Sequence, residues 1–208
     1  MERQTYWDNI YSQRQPTELG WYQAHPETSL RLIAASGSGK NAALIDIGGG
    51  ASLLVDKLVD AGYANVTVLD ISAAAIKAAQ ARLGERAGAV RWLAQDVTAF
   101  APQEKYALWH DRAVFHFLTE AADRRAYLDA AASALESGGQ MIIATFAPDG
   151  PEKCSGLPVV RYDAASLARE AGEGFELLES CGETHVTPGG GQQSFNYCRF
   201  RRCLATAT

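Results

Sequence analysis

The sequence predicts an α/β protein: a seven-stranded, mostly parallel sheet with helices on both faces and a C-terminal antiparallel hairpin. Three observations lead there. The run Leu44-Ile-Asp-Ile-Gly-Gly-Gly-Ala-Ser52 is an apolar strand that ends on an acid, enters a glycine turn and resumes as a helical pattern at Leu54, Leu58 and Ala61. Two further strand-like runs close on Asp70 and Asp96, so three successive strands carry a carboxylate to the edge where parallel sheets bind ligands. Near the end, Pro188-Gly-Gly-Gly191 joins two strand-like segments through a loop too short for a parallel crossover, which makes them antiparallel.

The elements follow in order. Tyr6, Trp7, Ile10 and Tyr11 recur at helical spacing and predict a short amphipathic helix over 4–12. After a loop with Pro16 and the segment Leu19-Gly-Trp-Tyr22, Pro26 opens a second helix over 26–35 that carries Leu30, Leu32 and Ile33. Ser36-Gly-Ser-Gly-Lys40 reads as a turn, because it precedes the first strand and lacks the spacing of a phosphate loop. Strands are predicted at 43–47, 66–70, 90–94, 106–110 and 140–146, with helices near 52–62, 73–83 and 121–136. Ser72 is the N-cap candidate of the alanine-rich helix, and Gly138-Gly139 the stop before the fifth strand. A loop dense in Pro and Gly over 147–158 precedes a helix at 163–171 and strands at 175–180 and 194–202. One domain is expected, with residues 1–40 as a helical, aromatic cap and 41–208 as the sheet core.

The glycine turn also selects a ligand. Asp70 lies 20 residues past Gly50, within reach of ribose hydroxyls. A dinucleotide fingerprint needs a third glycine where this chain has Leu53, whose side chain obstructs the approach of a pyrophosphate. Asp46, ahead of Gly48, Gly49 and Gly50, suits an ammonium or sulfonium better than phosphates, and Asp96 offers an acceptor for an adenine amino group. The ordered set reads as a site for S-adenosylmethionine (SAM), not NAD.

On these residues the chain resembles the class I SAM-dependent methyltransferases, from Tyr6 to about Arg202. Gly48-Gly-Gly-Ala-Ser52 is similar to their first motif, with Ser52 in place of the usual third glycine. Asp70, followed by Ile71, matches the ribose-binding acid, and Asp96 with Val97 the adenine-binding pair. Trp109-His-Asp-Arg112 matches the segment after strand four that flanks the methionine end and the acceptor, which brings His110 into the cofactor set. The resemblance implies a Rossmann-like fold, SAM as cofactor and S-adenosylhomocysteine (SAH) as product. It also implies that Trp7, Tyr11 and Trp21 close over the cofactor, where cation–π contact with a sulfonium is worth about 0.5–2 kcal/mol. Cap-to-core packing is the alternative role of these rings.

Composition narrows the class. With 208 residues and 47% hydrophobic content the chain is long enough for a full α/β core. A net charge of −5 argues against nucleic acid or an anionic membrane, and Arg199, Arg201 and Arg202 alternate as on the solvent face of a strand. No apolar run reaches the roughly 18–20 residues of a membrane span, and the Met-Glu-Arg-Gln start lacks a signal-peptide layout, so a cytoplasmic location is expected. Cysteines 154, 181, 198 and 203 show no metal-ligand spacing and are expected as reduced thiols without a metal. A monomer or homodimer is expected.

Candidate catalytic residues cluster after strand four. Trp-His110-Asp111-Arg112-Ala-Val-Phe-His116 mixes ionisable groups with aromatics, which is costly unless they are paired or used. Asp111, Arg112 and His116 are the candidates, with His116 as a general base; the alternative is an Asp111–Arg112 pair that stiffens the loop. Tyr22, Cys154, Arg161 and His185 are the substrate-side candidates, Cys154 with its pKa lowered by Lys153. Trp-His-Asp-Arg-Ala is similar to the Trp-Asp-Arg-Gly segment of thiopurine and small-thiol S-methyltransferases, apart from an inserted His. A small-molecule acceptor, best a thiol or sulfide, is therefore expected, since a thiolate needs little help from a base. Tyr6-Trp-Asp-x-x-Tyr11 also resembles small protein-lysine methyltransferases, which makes a lysine acceptor the second expectation. A SAM-binding regulator without catalysis is the third.

Overall fold

The structure, a computed structural model, describes residues 3–203; the outer ends of the expected cap and core, 1–2 and 204–208, lie outside the described residues. Helices α1 (Arg3–Gln13) and α2 (Glu27–Ala35) precede strand β1 (Leu44–Ile47). Then follow α3 (Leu54–Asp60), β2 (Val66–Asp70), α4 (Ala73–Leu83), β3 (Val90–Ala94), β4 (Tyr106–Arg112), α5 (Ala121–Ala134) and β5 (Leu135–Phe146). A two-residue-strand hairpin, β6 (Lys153–Cys154) and β7 (Leu157–Pro158), leads to α6 (Ala164–Ala171), β8 (Phe175–Val186) and β9 (Gln192–Arg202).

The seven-stranded sheet has the order β3-β2-β1-β4-β5-β9-β8. β1 to β5 pair in parallel, while β9 runs antiparallel between β5 and β8. Chain direction reverses its lateral course between β1 and β4, and a crevice opens at such a switch point. Side-chain alternation divides the core between the two faces. Ile45, Ile47, Trp109, Met141 and Ile143 pack with α5 and α6 residues, and Leu44, Val66, Val68, Leu108 and Ile142 pack with α2 and α3 residues. All four β1 residues are buried, as a central strand covered on both faces requires.

Several boundaries differ from expectation for physical reasons. α5 stops at Ala134, and Gly138-Gly139 does not cap it; Gly138, at φ 76°, sits in a bulge where the β4–β5 register slips between Tyr106 and Leu108. β8 runs on to Val186, because its alternating polar residues pair with β9 to the end of the hairpin. β4 extends to Arg112, two residues beyond expectation. α3 is shorter, beginning at Leu54 and followed by Gly62 at φ 83°. Ser72 does cap α4, its Oγ accepting from Ala75 N at 3.1 Å. No helix among the described residues is long and apolar enough to cross a membrane.

Candidate functional site

Parallel register brings the acids together. Asp46 stands opposite His110 and Ile47 opposite Leu69 and Asp111, so the glycine turn leaves β1 between the ends of β2 and β4. Gly48, at φ 69°, takes a conformation that side chains resist, and its N–H donates to Leu69 O at 2.6 Å. A Cβ on Gly49 would collide with Asp46 Oδ2, and one on Gly50 would lie 2.7 Å from Asp70 Oδ2. The turn therefore rests directly on two buried carboxylates. Asp70 accepts from Gly50 N at 3.0 Å and Ser72 N at 2.8 Å. Burial still pushes its carboxyl up to about 6, with Asp46 and Asp8 adding repulsion and the two N–H donors opposing the rise.

Beside these strand ends lies a cavity of about 790 Å³, its open mouth included. Asp70, Ile71, Asp96 and Val97 line one part of it, and Arg112, Ala113, Phe117 and Cys154 another. A pocket of about 540 Å³ adjoins it, lined by Asp46, Gly49, Ser52, His110, Ser29 and Tyr22 among others. Both share Trp21, Ile47, Gly48 and Arg112, so they adjoin as two parts of one crevice with these residues between them.

The cap closes this crevice with α1. No α1 residue is fully buried, so polar latches hold the helix. Asp8 Oδ1 accepts from Ser72 Oγ at 2.6 Å and from Ala74 N at 3.2 Å. Arg3 pairs with Asp123 and lies 3.6 Å from Asp96 Oδ2, while the Tyr6 hydroxyl donates to Ser155 O. Trp7 packs on Tyr11, Trp21 and Phe117, with ring centroids 6.3, 5.8 and 5.1 Å away. Trp7, Tyr11 and Trp21 line the cavity. Burial drives the Tyr11 phenol well above its ordinary range, with Asp70 adding to the rise, so the ring presents a protonated hydroxyl.

Arg112 is the hub of the crevice. Its Nε donates to Tyr197 Oη at 2.9 Å and its Nη1 to Trp21 O at 3.1 Å, and the guanidinium lies 4.4 Å from the Phe195 ring centroid. Nη2 is buried with no hydrogen bond among the described residues; a Glu183 oxygen lies 3.6 Å away. The next residue, Ala113, has φ 73°, a left-handed conformation that costs a non-glycine residue of order 1 kcal/mol and points to a constrained turn. In the inner pocket, His110 Nδ1 donates to Asp46 Oδ1 at 2.7 Å, and Ser29 Oγ lies 3.0 Å from its Nε2. The other Asp46 oxygen is buried without a partner.

Three candidates fall outside the crevice. Asp111 is fully buried on the opposite face of β4 and accepts from Val114 N, Phe115 N and Tyr127 Oη at 2.8, 3.0 and 2.7 Å. It is neither a base facing the cavity nor a partner of Arg112. Its carboxyl is raised to about 6, chiefly by burial. His116 is sealed between Phe117 and Phe146, both ring nitrogens lack partners among the described residues, and burial depresses its pKa to about 3. An imidazole so enclosed cannot collect a proton from a substrate. Arg161 bonds Gly150 O and Glu152 at the surface and lines none of the described pockets.

Other candidates change role. Gly50 spends its N–H on Asp70. His185 Nε2 contacts Gly20 O at 2.7 Å and, with Tyr22, faces a separate outer groove. Cys154 lines the cavity, but burial pushes its thiol up to about 11, against the expected effect of Lys153. Sequence reasoning passed over Arg3, Ser29, Gln95, Phe117 and Leu118, the first and last three of which line the cavity. Arg3 was legible: it precedes Trp7 and Tyr11 at intervals of four, on the same helical stripe.

A family model described as a methyltransferase domain matches residues 44–139. Among solved structures, the chain is similar to one from the conversion of a disulfide bond into a thioacetal group during echinomycin biosynthesis (TM-score 0.78, 20% identity, 99% of this chain and 94% of that one). It is also similar to the N-methyltransferase NodS of Bradyrhizobium japonicum WM9 in complex with S-adenosyl-L-homocysteine (TM-score 0.73, 19% identity, 96% and 97%). A third is the 1,6-didemethyltoxoflavin-N1-methyltransferase of Burkholderia thailandensis with bound 1,6-didemethyltoxoflavin and S-adenosylhomocysteine (TM-score 0.69, 18% identity, 97% and 84%). No curated protein matches the chain significantly.

Two predictions follow from the buried groups. Asp111→Ala strands the Tyr127 hydroxyl and two backbone N–H groups, and should cost about 3 kcal/mol or more, read as a lower denaturation midpoint. His116→Phe should be nearly silent at pH 7. Below pH about 6.5 the unfolded chain binds a proton that the native His116 refuses until about pH 3, so wild-type stability is lost as pH falls through that window. The variant lacks this loss, and the gap between its melting temperature and that of wild type should widen in its favour from pH 7 to pH 4.

Proposed function

We propose that this chain is a class I SAM-dependent methyltransferase that methylates a small-molecule acceptor at sulfur, a reading supported by the methyltransferase-domain match over residues 44–139. The residues present fit the cofactor. Asp46 has one buried oxygen without a partner among the described residues that would take an ammonium, the glycines bring backbone close to the crevice, and Asp70 and Asp96 line the larger cavity, where they would take adenosyl hydroxyls and amino group. SAM supplies a methyl group on an electron-poor sulfonium carbon. Asp70 and Asp96 would orient the adenosyl end, Asp46 with His110 the amino-acid end, and Trp7, Tyr11 and Trp21, which line the cavity, would exclude water. Alignment of nucleophile and methyl accounts for most of such catalysis.

The observation that carries the choice of sulfur is the absence of a free base at the acceptor end. Among the described residues lining the cavity, the ionisable groups away from Asp70 and Asp96 are Arg3, Tyr11, Arg112 and Cys154. Tyr11 and Cys154 are held protonated at neutral pH by burial, and an arginine does not take up a proton. An acceptor must therefore arrive as its own nucleophile. A thiol does so readily, and the positive charge of the Arg112 guanidinium on the cavity wall favours its thiolate. The sulfur chemistry of the echinomycin structure supports this reading. A small amine in its neutral form is the second reading, supported by the similarity to NodS and the toxoflavin enzyme. A protein lysine fits less well, since its ammonium would meet Arg112 beneath the α1 cover.

The test is SAH release across thiols, sulfide, phenols, amines and fractionated lysate. Small thiols or sulfide should drive turnover; release driven by macromolecular fractions alone would overturn the proposal, and SAM binding without release under any acceptor would leave a regulator. Arg112→Gln should raise the apparent pKa of a thiol substrate in the pH–rate profile by about one unit, a loss of one nearby opposite charge. The cofactor site has its own pH signature. Ribose hydroxyls need the Asp70 anion, whose carboxyl stands near 6, so SAH affinity by calorimetry should fall as pH drops through 6, by up to about tenfold per unit. Asp70→Asn should bind weakly at every pH.

A further inference from the structure

We propose that Arg82, on the last turn of α4, is a positioning residue for the cofactor: it holds the glycine loop in its binding shape through the loop's own carbonyls. The inference rests on the SAM reading of the crevice. The loop leaves its glycines at Ser52 and Leu53, and its last two carbonyls, those of Ala51 and Ser52, need partners at the exit. Arg82 supplies them. Its Nη2 donates to Ser52 O at 2.7 Å and its Nη1 lies 3.4 Å from Ala51 O. The same guanidinium grips Asp56 of α3, with Nε at 3.0 and 3.1 Å from the two carboxylate oxygens and Nη2 at 2.7 Å.

The geometry divides the loop's polar groups by side. Gly50 N turns inward to Asp70, and Ser52 N turns back to Gly49 O, while the Ala51 and Ser52 carbonyls face α4 and end on the guanidinium. Ser52 and Ala51 also line the inner pocket, so a shift of these carbonyls moves the pocket wall. Leu53, the N-cap of α3, offers no side-chain cap; Ser52 Oγ, which accepts from Leu54 N at 3.1 Å, is the side-chain tie from loop to helix, beside the Leu53 carbonyl that accepts from Lys57 N. A planar fork can span a carboxylate and two carbonyls at once, which a lysine ammonium cannot.

Asp56 allows the role to be separated from ordinary stabilisation. Asp56→Asn removes the ion pair and leaves Arg82 able to reach the carbonyls; Arg82→Gln removes both. We expect Arg82→Gln to raise the SAH dissociation constant and the KM for SAM about tenfold, the size of one lost charge-assisted hydrogen bond, with kcat within about twofold. Asp56→Asn should keep SAH affinity within about threefold even though its melting temperature falls. Arg82→Lys should bind between wild type and Arg82→Gln at near-wild-type melting temperature, and it decides the matter if the glutamine variant does not fold. Unchanged affinity in Arg82→Gln or Arg82→Lys, or equal losses in Arg82→Gln and Asp56→Asn, overturns the proposal. Wild-type protein that binds neither SAM nor SAH overturns the cofactor reading instead.

Discussion

The crevice depends on one packing constraint: backbone without side chains must lie directly on buried carboxylates. Gly49 covers Asp46 and Gly50 covers Asp70 so closely that any Cβ would displace them. The arrangement strips both acids of water, and the cost appears in the raised carboxyl of Asp70. Two backbone N–H groups repay part of it for Asp70, and a histidine does so for one oxygen of Asp46. A site of this kind is set before any ligand arrives, because the groups that would reorganise are already fixed by the turn.

Much of this was legible in the sequence because strands and turns announce themselves locally. An apolar run that closes on an acid and enters glycines marks both the strand end and the acid beside the turn, and β1, β2 and β3 fall within a residue of their expected bounds. What escaped was sidedness. With β4 expected to stop at His110, Asp111 and Arg112 read as loop residues free to face a ligand. The strand continues to Arg112, so residues alternate: His110 and Arg112 face the crevice, and Asp111 joins Trp109 against Tyr127. Two extra strand residues thus separate a structural acid from a cavity-lining cation. His116 escaped for another reason, since a short 3₁₀ turn at Phe115–Phe117 rolls it inward among aromatics.

The cap illustrates how a weakly buried helix is held in place. Its aromatic stripe was plain from spacing, but periodicity does not tell which polar partners wait across the fold. Asp8 reaches the N-terminus of α4, where a negative charge meets free N–H groups, and shares Ser72 with the helix's own cap. Exposed pairs such as Arg3–Asp123 contribute at most about 1 kcal/mol each. The cover is thus bound by small polar contacts and ring packing rather than by a core of its own, which leaves it separable from the sheet at modest cost.

Charge then argues for the acceptor. Asp46, Asp70 and Asp96 line the crevice, and each is spoken for in part by a hydrogen-bond donor or a cap arginine. Arg112 stands between the two parts of the crevice against Phe195, in a place where its field is poorly screened. Glu183, at 3.6 Å from Nη2, balances that charge from behind, although Nη2 makes no hydrogen bond among the described residues. A cationic acceptor there would face both guanidinium and sulfonium. On the proposed sulfur reading, a thiolate would face two positive charges and would lose its own charge as the methyl passes over, leaving a neutral thioether with no such attraction to hold it.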